Sequence, residues 1–191
     1  MTRIADGAIE LVESTGDVQM VQLARHLGVA PSSLYSHVTG RAEVIDLARL
    51  RLLEQMEPIG PGRDWRETVA SLLRQLTAVY AGHRRILPLI FTTSFTSERA
   101  IAVYEPMFAA LLEAGFEPQH LRLVVAADEA QAFGLAQGLP APAMSDHIRQ
   151  TLPAYTASVD HSRYDLATAT EFSVAMVING LSALKACTTP Q

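Results

Sequence analysis

The stretch that decides the fold is "QLARHLGVAPSSLYSHVTGR", residues 22 to 41. Two short helices meeting at a steep angle need a small residue at their crossing, and Ala24 supplies it. The turn between them needs a residue tolerant of positive φ, and Gly28 supplies that. Leu23, Leu27, Val29 and Leu34 lock the pair. Pro31 suits a first helical turn, where its missing N–H would have no partner anyway. The spacing Ala24–Gly28–Leu34 is that of a helix-turn-helix. Around the apolar positions stand Ser32, Ser33, Tyr35, Ser36, His37, Thr39 and Arg41, all able to hydrogen-bond. A helix that enters the major groove of DNA carries such groups outward and apolar ones inward.

Working outward, helical spacing is nearly everywhere and strand signals are nearly absent. Residues 3–14 put Ile4, Ala8, Leu11 and Val12 on one face, with Gly16 as terminator. A short helix covers 19–27, a third opens at Pro31, and a fourth runs over 41–56 with Val44, Ile45, Ala48 and Leu52 inward. "EPIGPGR", residues 57–63, holds two prolines and two glycines and is the best boundary in the chain. Helices then follow over 64–83, with Asp64 as N-cap, and over 83–93, 98–114, 118–138, 145–157 and 165–186. Pro106 predicts a kink or a broken first turn inside 98–114. The expectation is an all-α chain of about nine to ten helices. Residues 1–56 form a helix-turn-helix domain, with its fourth helix as connector, and 57–191 form a larger helical domain.

"LARHLGVAPSSLYSHVTGRAEVIDLA", residues 23–48, resembles the DNA-binding domain of the tetracycline-repressor (TetR) family. Leu34, Tyr35, His37 and Val38 fall on that family's pattern, and Arg41 takes the position of its helix-opening Lys. The resemblance covers residues 3–56. Beyond them it is broad only, in "DWRETVASLLRQL", "LLEAGF" and "FSVAMVINGLSAL". It implies that Tyr35, His37 and Arg41 contact phosphates, that Ser32, Ser33 and Ser36 face base edges, and that Thr39 adds a backbone contact. Three departures stand out. Ala30 caps the second helix of the pair poorly. Gln19, Met20 and Val21 occupy a region where the family often carries Thr and Arg. The basic arm ahead of the first helix is reduced to Arg3.

Composition agrees with a local rather than a general affinity for DNA. The net charge is −5, unlike a generally basic nucleic-acid binder. Yet no Asp or Glu occurs from Val18 to Ala42, while Arg25, His26, His37 and Arg41 do.

Two later segments, 121–136 and 166–186, are apolar nearly all round, so they must be covered on every side. Ala169, Ser173, Met176, Gly180 and Ala183 form a small-residue stripe in the second. A homodimer through helices 118–138 and 165–186 is expected, as the family resemblance also implies. Trp65, Tyr80, Phe91, Phe95, Tyr104, Met107, Phe108 and Phe133 could enclose a pocket for an apolar or aromatic effector. His83, Tyr80, Thr92, Thr93 and Ser94 are its candidate polar anchors.

The resulting expectation is a DNA-binding regulator, in the family's common mode a repressor. It would bind a palindromic operator as a dimer and leave it when a small molecule binds. Partners are double-stranded DNA, an unknown effector and a second copy of the chain, with no cofactor, metal or membrane. The start of the chain lacks a secretory signal, so a cytoplasmic location is expected. The uncharged stretch from Phe172 to Leu184 reads as too short to cross a bilayer.

Two other classes remain open. A redox regulator could act through Cys187, the single cysteine. A helical enzyme is disfavoured, because adjacent Asp128 and Glu129 diverge by about 100° on a helix and no catalytic motif appears.

Overall fold

The computed structural model describes residues 1–60, 62–94, 97–138, 144–161 and 165–188. Among them are twelve helices and no strand, so the chain is all-α. The first four are α1 (Thr2–Thr15), α2 (Met20–His26), α3 (Pro31–Tyr35) and α4 (Arg41–Leu53). Gly16 ends α1 in the left-handed region at φ 86°.

Gly28, at φ 68°, closes α2. The Val29 N–H donates to the Ala24 carbonyl at 3.0 Å and the Gly28 N–H to that of Arg25 at 3.1 Å. This paired closure satisfies the last carbonyls of α2 and turns the chain sharply into α3. Leu23 and Ala24 are fully buried and Leu34 nearly so, which fixes the crossing of the two helices. On α4, all four positions expected to face inward are buried. That helix stops at Leu53 rather than 56. Gln55 and Met56 tighten into three-residue hydrogen bonds to Leu52 and Leu53.

The next helices are α5 (Trp65–Gly82), α6 (Leu87–Thr92), α7 (Glu98–Ala102), α8 (Glu105–Glu113) and α9 (Pro118–Gln137). The last three are α10 (Asp146–Thr151), α11 (Pro153–His161) and α12 (Leu166–Thr188). Asp64 caps α5, accepting from the Arg66 N–H at 2.8 Å. Two segments expected as single helices are each split, which raises the helix number. Pro106 stands in the first turn of α8, so the break expected there falls at Val103–Tyr104. Pro153 opens α11 and separates it from α10, because the residue before a proline avoids the helical region.

One apolar cluster runs from Ile4 through Leu72, Leu73 and Leu76 of α5 to Leu181 of α12. Helix α5 is its axis, packed against α8, α9 and α12. Arg74 fastens α12 with two parallel bonds to Glu171, at 2.6 and 2.7 Å. The outward faces of α9 and α12 carry apolar groups: Leu123 is 65% exposed, Phe172 67%, Met176 56% and Leu184 63%. The small-residue stripe is corrected here. Ser173 is buried and Ala169 half-buried, whereas Phe172, Met176, Gly180 and Ala183 are exposed.

A second correction concerns length. Leu166–Ala186 is 21 residues of mean hydropathy 1.2, long and apolar enough to span a bilayer, with 22% of the stretch buried. The uncharged run understated it, because Glu171 and Lys185 lie inside the helix rather than at its limits.

Candidate nucleic-acid interface and ligand cleft

On the N-terminal side, α3 buries Leu34 and the following Val38, and turns Ser32, Ser33, Tyr35, Ser36 and His37 to solvent. Tyr35 is 53% exposed. Ser36 Oγ donates to the Ser33 carbonyl at 2.7 Å. Ser32, Ser33, Tyr35 and His37 keep their side chains free of intrachain hydrogen bonds among the described residues.

Thr39 and Arg41 are engaged locally. The Thr39 N–H and hydroxyl both donate to Glu43 Oε2, at 2.7 Å each, and these bonds hold the Glu43 carboxyl below its usual range. Arg41 is exposed but bonded. It donates to Asp17 Oδ1 at 2.7 Å and to the Val18 carbonyl at 3.1 Å. The guanidinium holds Asp17 below the ordinary carboxylate range and ties the start of α4 to the α1–α2 connection. Arg3 is not a free arm either, since it donates to the Leu27 carbonyl at 2.6 Å and so caps the end of α2. Ala30 makes no side-chain cap. Arg25 and His26 are exposed at the end of α2, with His26 facing Glu10 at 2.9 Å.

The second feature is a cleft of about 820 Å³ among α4, α5, α6, α8 and α9. Of the expected ligand residues, Tyr80, Phe91, Tyr104 and Phe108 line it, as do Thr92, Thr93 and Ser94. The others do not. Trp65 packs edge-on against Phe116, centroids 5.1 Å apart, with Arg66 over its ring. Met107 is core. Phe133 supports the wall from behind, 4.5 Å from the Phe91 ring. His83 caps α5 and faces Gln55 at 3.4 Å. Phe95 and the Cys187 side chain lie outside the described residues.

Glu129, set aside in the sequence as half of a poor catalytic pair, forms the floor of the cleft. Its two oxygens accept from the hydroxyls of Tyr80, at 2.7 Å, and Tyr104. Burial raises the Glu129 pKa, and the two hydroxyls and the Arg49 charge oppose that rise. Burial, then the Glu129 charge, pushes both phenols far above their usual range. Its neighbour Asp128 points the other way. Asp128 is fully buried, and neither carboxylate oxygen has a partner. Burial, then the Glu129 charge, raises it to about 7.

The cleft and α4 share a joint. Asp46 and Arg49, both buried, sit one turn apart on α4 and pair at 3.1 Å. Arg49 also donates to the carbonyls of Ile90 and Thr93, at the end of α6. Asp46 accepts from the Ser97 N–H at 3.2 Å. Two charges on α4 therefore grip both ends of the 93–97 segment, whose residues Thr93 and Ser94 line the cleft.

Comparisons with known proteins agree with this architecture. The family described as the tetracyclin repressor-like, C-terminal domain matches residues 57–133. An HTH-type transcriptional regulator of Saccharopolyspora erythraea is 31% identical over 117 residues, 60% of this chain and 50% of that protein. The chain is thus similar in sequence to TetR-type regulators. The HTH-type transcriptional repressor DrrR1 of Streptomyces coeruleorubidus is 28% identical over 92 residues, 46% of this chain and 34% of DrrR1. The chain thus spans half or less of the length of these curated relatives. Among solved structures, apo ActR of Streptomyces coelicolor superposes with TM-score 0.76 at 20% identity, over 98% of this chain and 96% of that one. ActR with actinorhodin gives 0.74 at 20% identity, over 96% of each chain. At such identity the likeness speaks for the TetR fold alone.

Sequence reasoning within that TetR fold missed Asp46, Arg49 and Glu129. No group of three or more His, Cys, Asp or Glu side chains suited to a metal ion occurs among the described residues.

Proposed function

We propose that this chain is a DNA-binding transcriptional regulator of the TetR family whose N-terminal helices read a palindromic operator in twofold pairs. One observation carries the reading: four hydrogen-bonding side chains on and beside α3 are exposed and unengaged, above a buried Leu34. Ser32, Ser33 and Ser36 face base edges in this reading, and Tyr35, His37, Thr39 and Arg41 contact the backbone. Small hydroxyls discriminate bases weakly beside Arg or Gln. Affinity then rests on phosphate contacts doubled by symmetry, with heads about 34–36 Å apart or a multiple of that.

Residues 1–56 act as the reading head, and 57–191 as the ligand-binding and dimerisation body. The exposed apolar faces of α9 and α12 support a homodimer with a four-helix interface. The cleft is the effector site, open to a small aromatic molecule. The Asp46–Arg49 grip on 93–97 couples it to α4. A ligand that favours one arrangement of that joint over another shifts the spacing of the heads, and only by its differential affinity for the two. Repression relieved by the ligand is the mode proposed, supported by the relative named as a repressor.

Selection of bound fragments from random DNA tests the reading. It should return an inverted repeat. Enrichment of no sequence, or of a single unrepeated site bound by a monomer, would overturn it.

A further inference from the structure

The cleft has aromatic walls, but its floor is an acid. Glu129 is the one carboxylate among its described lining residues. Tyr80 and Tyr104 occupy one acceptor direction on each of its oxygens, and a carboxylate offers about four such directions in all. The remaining ones have no hydrogen-bond donor among the described residues, and Glu129 lines the cleft. Two cations also line the cleft, and the Arg49 charge acts on Glu129, but neither donates a hydrogen bond to it among those described. Arg49 is directed to Asp46 and to the carbonyls of Ile90 and Thr93. Arg122 lies seven residues before Glu129, about 10 Å along the helix, and is exposed at the rim.

A neutral apolar ligand seated here would strip the remaining water from a carboxylate and give nothing back. A cation does the reverse: it supplies a donor and an opposite charge, and the exposed Phe91 and half-buried Phe108 of the lining offer ring faces. We propose that the cleft selects an organic cation, an aromatic amine whose protonated nitrogen meets Glu129 between these rings. This rests on the reading of the cleft as the effector site and narrows it to a chemical class.

The test is a fluorescence titration of the full chain, without DNA, with proflavine, a planar cation, and acridone, its neutral counterpart. Proflavine should bind at least about tenfold more tightly than acridone. Glu129→Gln should remove about that factor for proflavine and leave acridone within about twofold, and Glu129→Asp should restore part of it. The comparison of dyes on the unaltered protein stands even if the variants fold poorly. Equal or tighter binding of acridone, failure of both dyes to bind, or a folded Glu129→Gln variant with unchanged proflavine affinity would each overturn the proposal. Because no DNA is present, these outcomes are separate from the operator selection, which can fail or succeed independently.

Discussion

Two faces of this molecule are left uncovered, and they differ in kind. The face on and beside α3 is made of hydroxyls, a phenol and an imidazole over a buried Leu34. The face along α9 and α12 is made of Leu123, Phe172, Met176 and Leu184, all more than half exposed. Water solvates the first without penalty, so it can stand open until a partner arrives. The second leaves apolar area in water, at roughly 25 cal/mol for each Å², which favours covering it. In the proposed reading, one face suits an occasional, salt-sensitive partner and the other a permanent one.

The contrast breaks most sharply at Gly180. A side chain there meets nothing within 4 Å in the single chain, so Gly180→Leu leaves the protomer intact while obstructing close helix packing. Sedimentation should find the variant monomeric at concentrations where the parent is dimeric, and a dimer of normal strength would remove α12 from the interface.

The next effect lies beneath α9. Asp128, raised to about 7 from 3.8, keeps a proton in the folded state that the unfolded chain gives up. The native state therefore binds more protons between those values, and stability falls as pH rises through them. Asp128→Asn removes the charge, and urea denaturation near pH 8 should show a gain of about 2–4 kcal/mol. That gain should vanish near and below about pH 4, the unfolded value.

On the polar face, Arg41→Ala should weaken binding to every DNA sequence alike and lower the salt dependence by about one phosphate contact per head. An unchanged slope with lower thermal stability would reduce Arg41 to its bond with Asp17. The smallest effect is expected at Ala30. Ala30→Ser supplies the missing cap of α3 and should raise the melting temperature by an amount equivalent to about 1 kcal/mol, with no change in the selected DNA sequence.

The turn at Gly28, the cap at Asp64 and the break near Pro106 were legible because each rests on neighbours in sequence. Helix α11 was not, because Pro153 reads equally well as the end of one helix or the start of another. The aromatic side of the cleft was legible by composition, without distinguishing Tyr104, which lines it, from Trp65, which does not. Its acid floor was invisible, since the hydroxyls that hold Glu129 come from 25 and 49 residues away. Asp46 and Arg49 stand at i, i+3, a spacing that any solvated helix face can carry. Only the carbonyls of a distant helix end turn them into a buried joint.

That joint grips main-chain oxygens at residues 90 and 93 and a main-chain N–H at 97. The side chains of Thr92, Thr93 and Ser94 take no part in it. In the proposed reading, taste and transmission are therefore written in different atoms of the same few residues. A descendant of this chain could exchange those three side chains and keep the main-chain linkage between the cleft and α4.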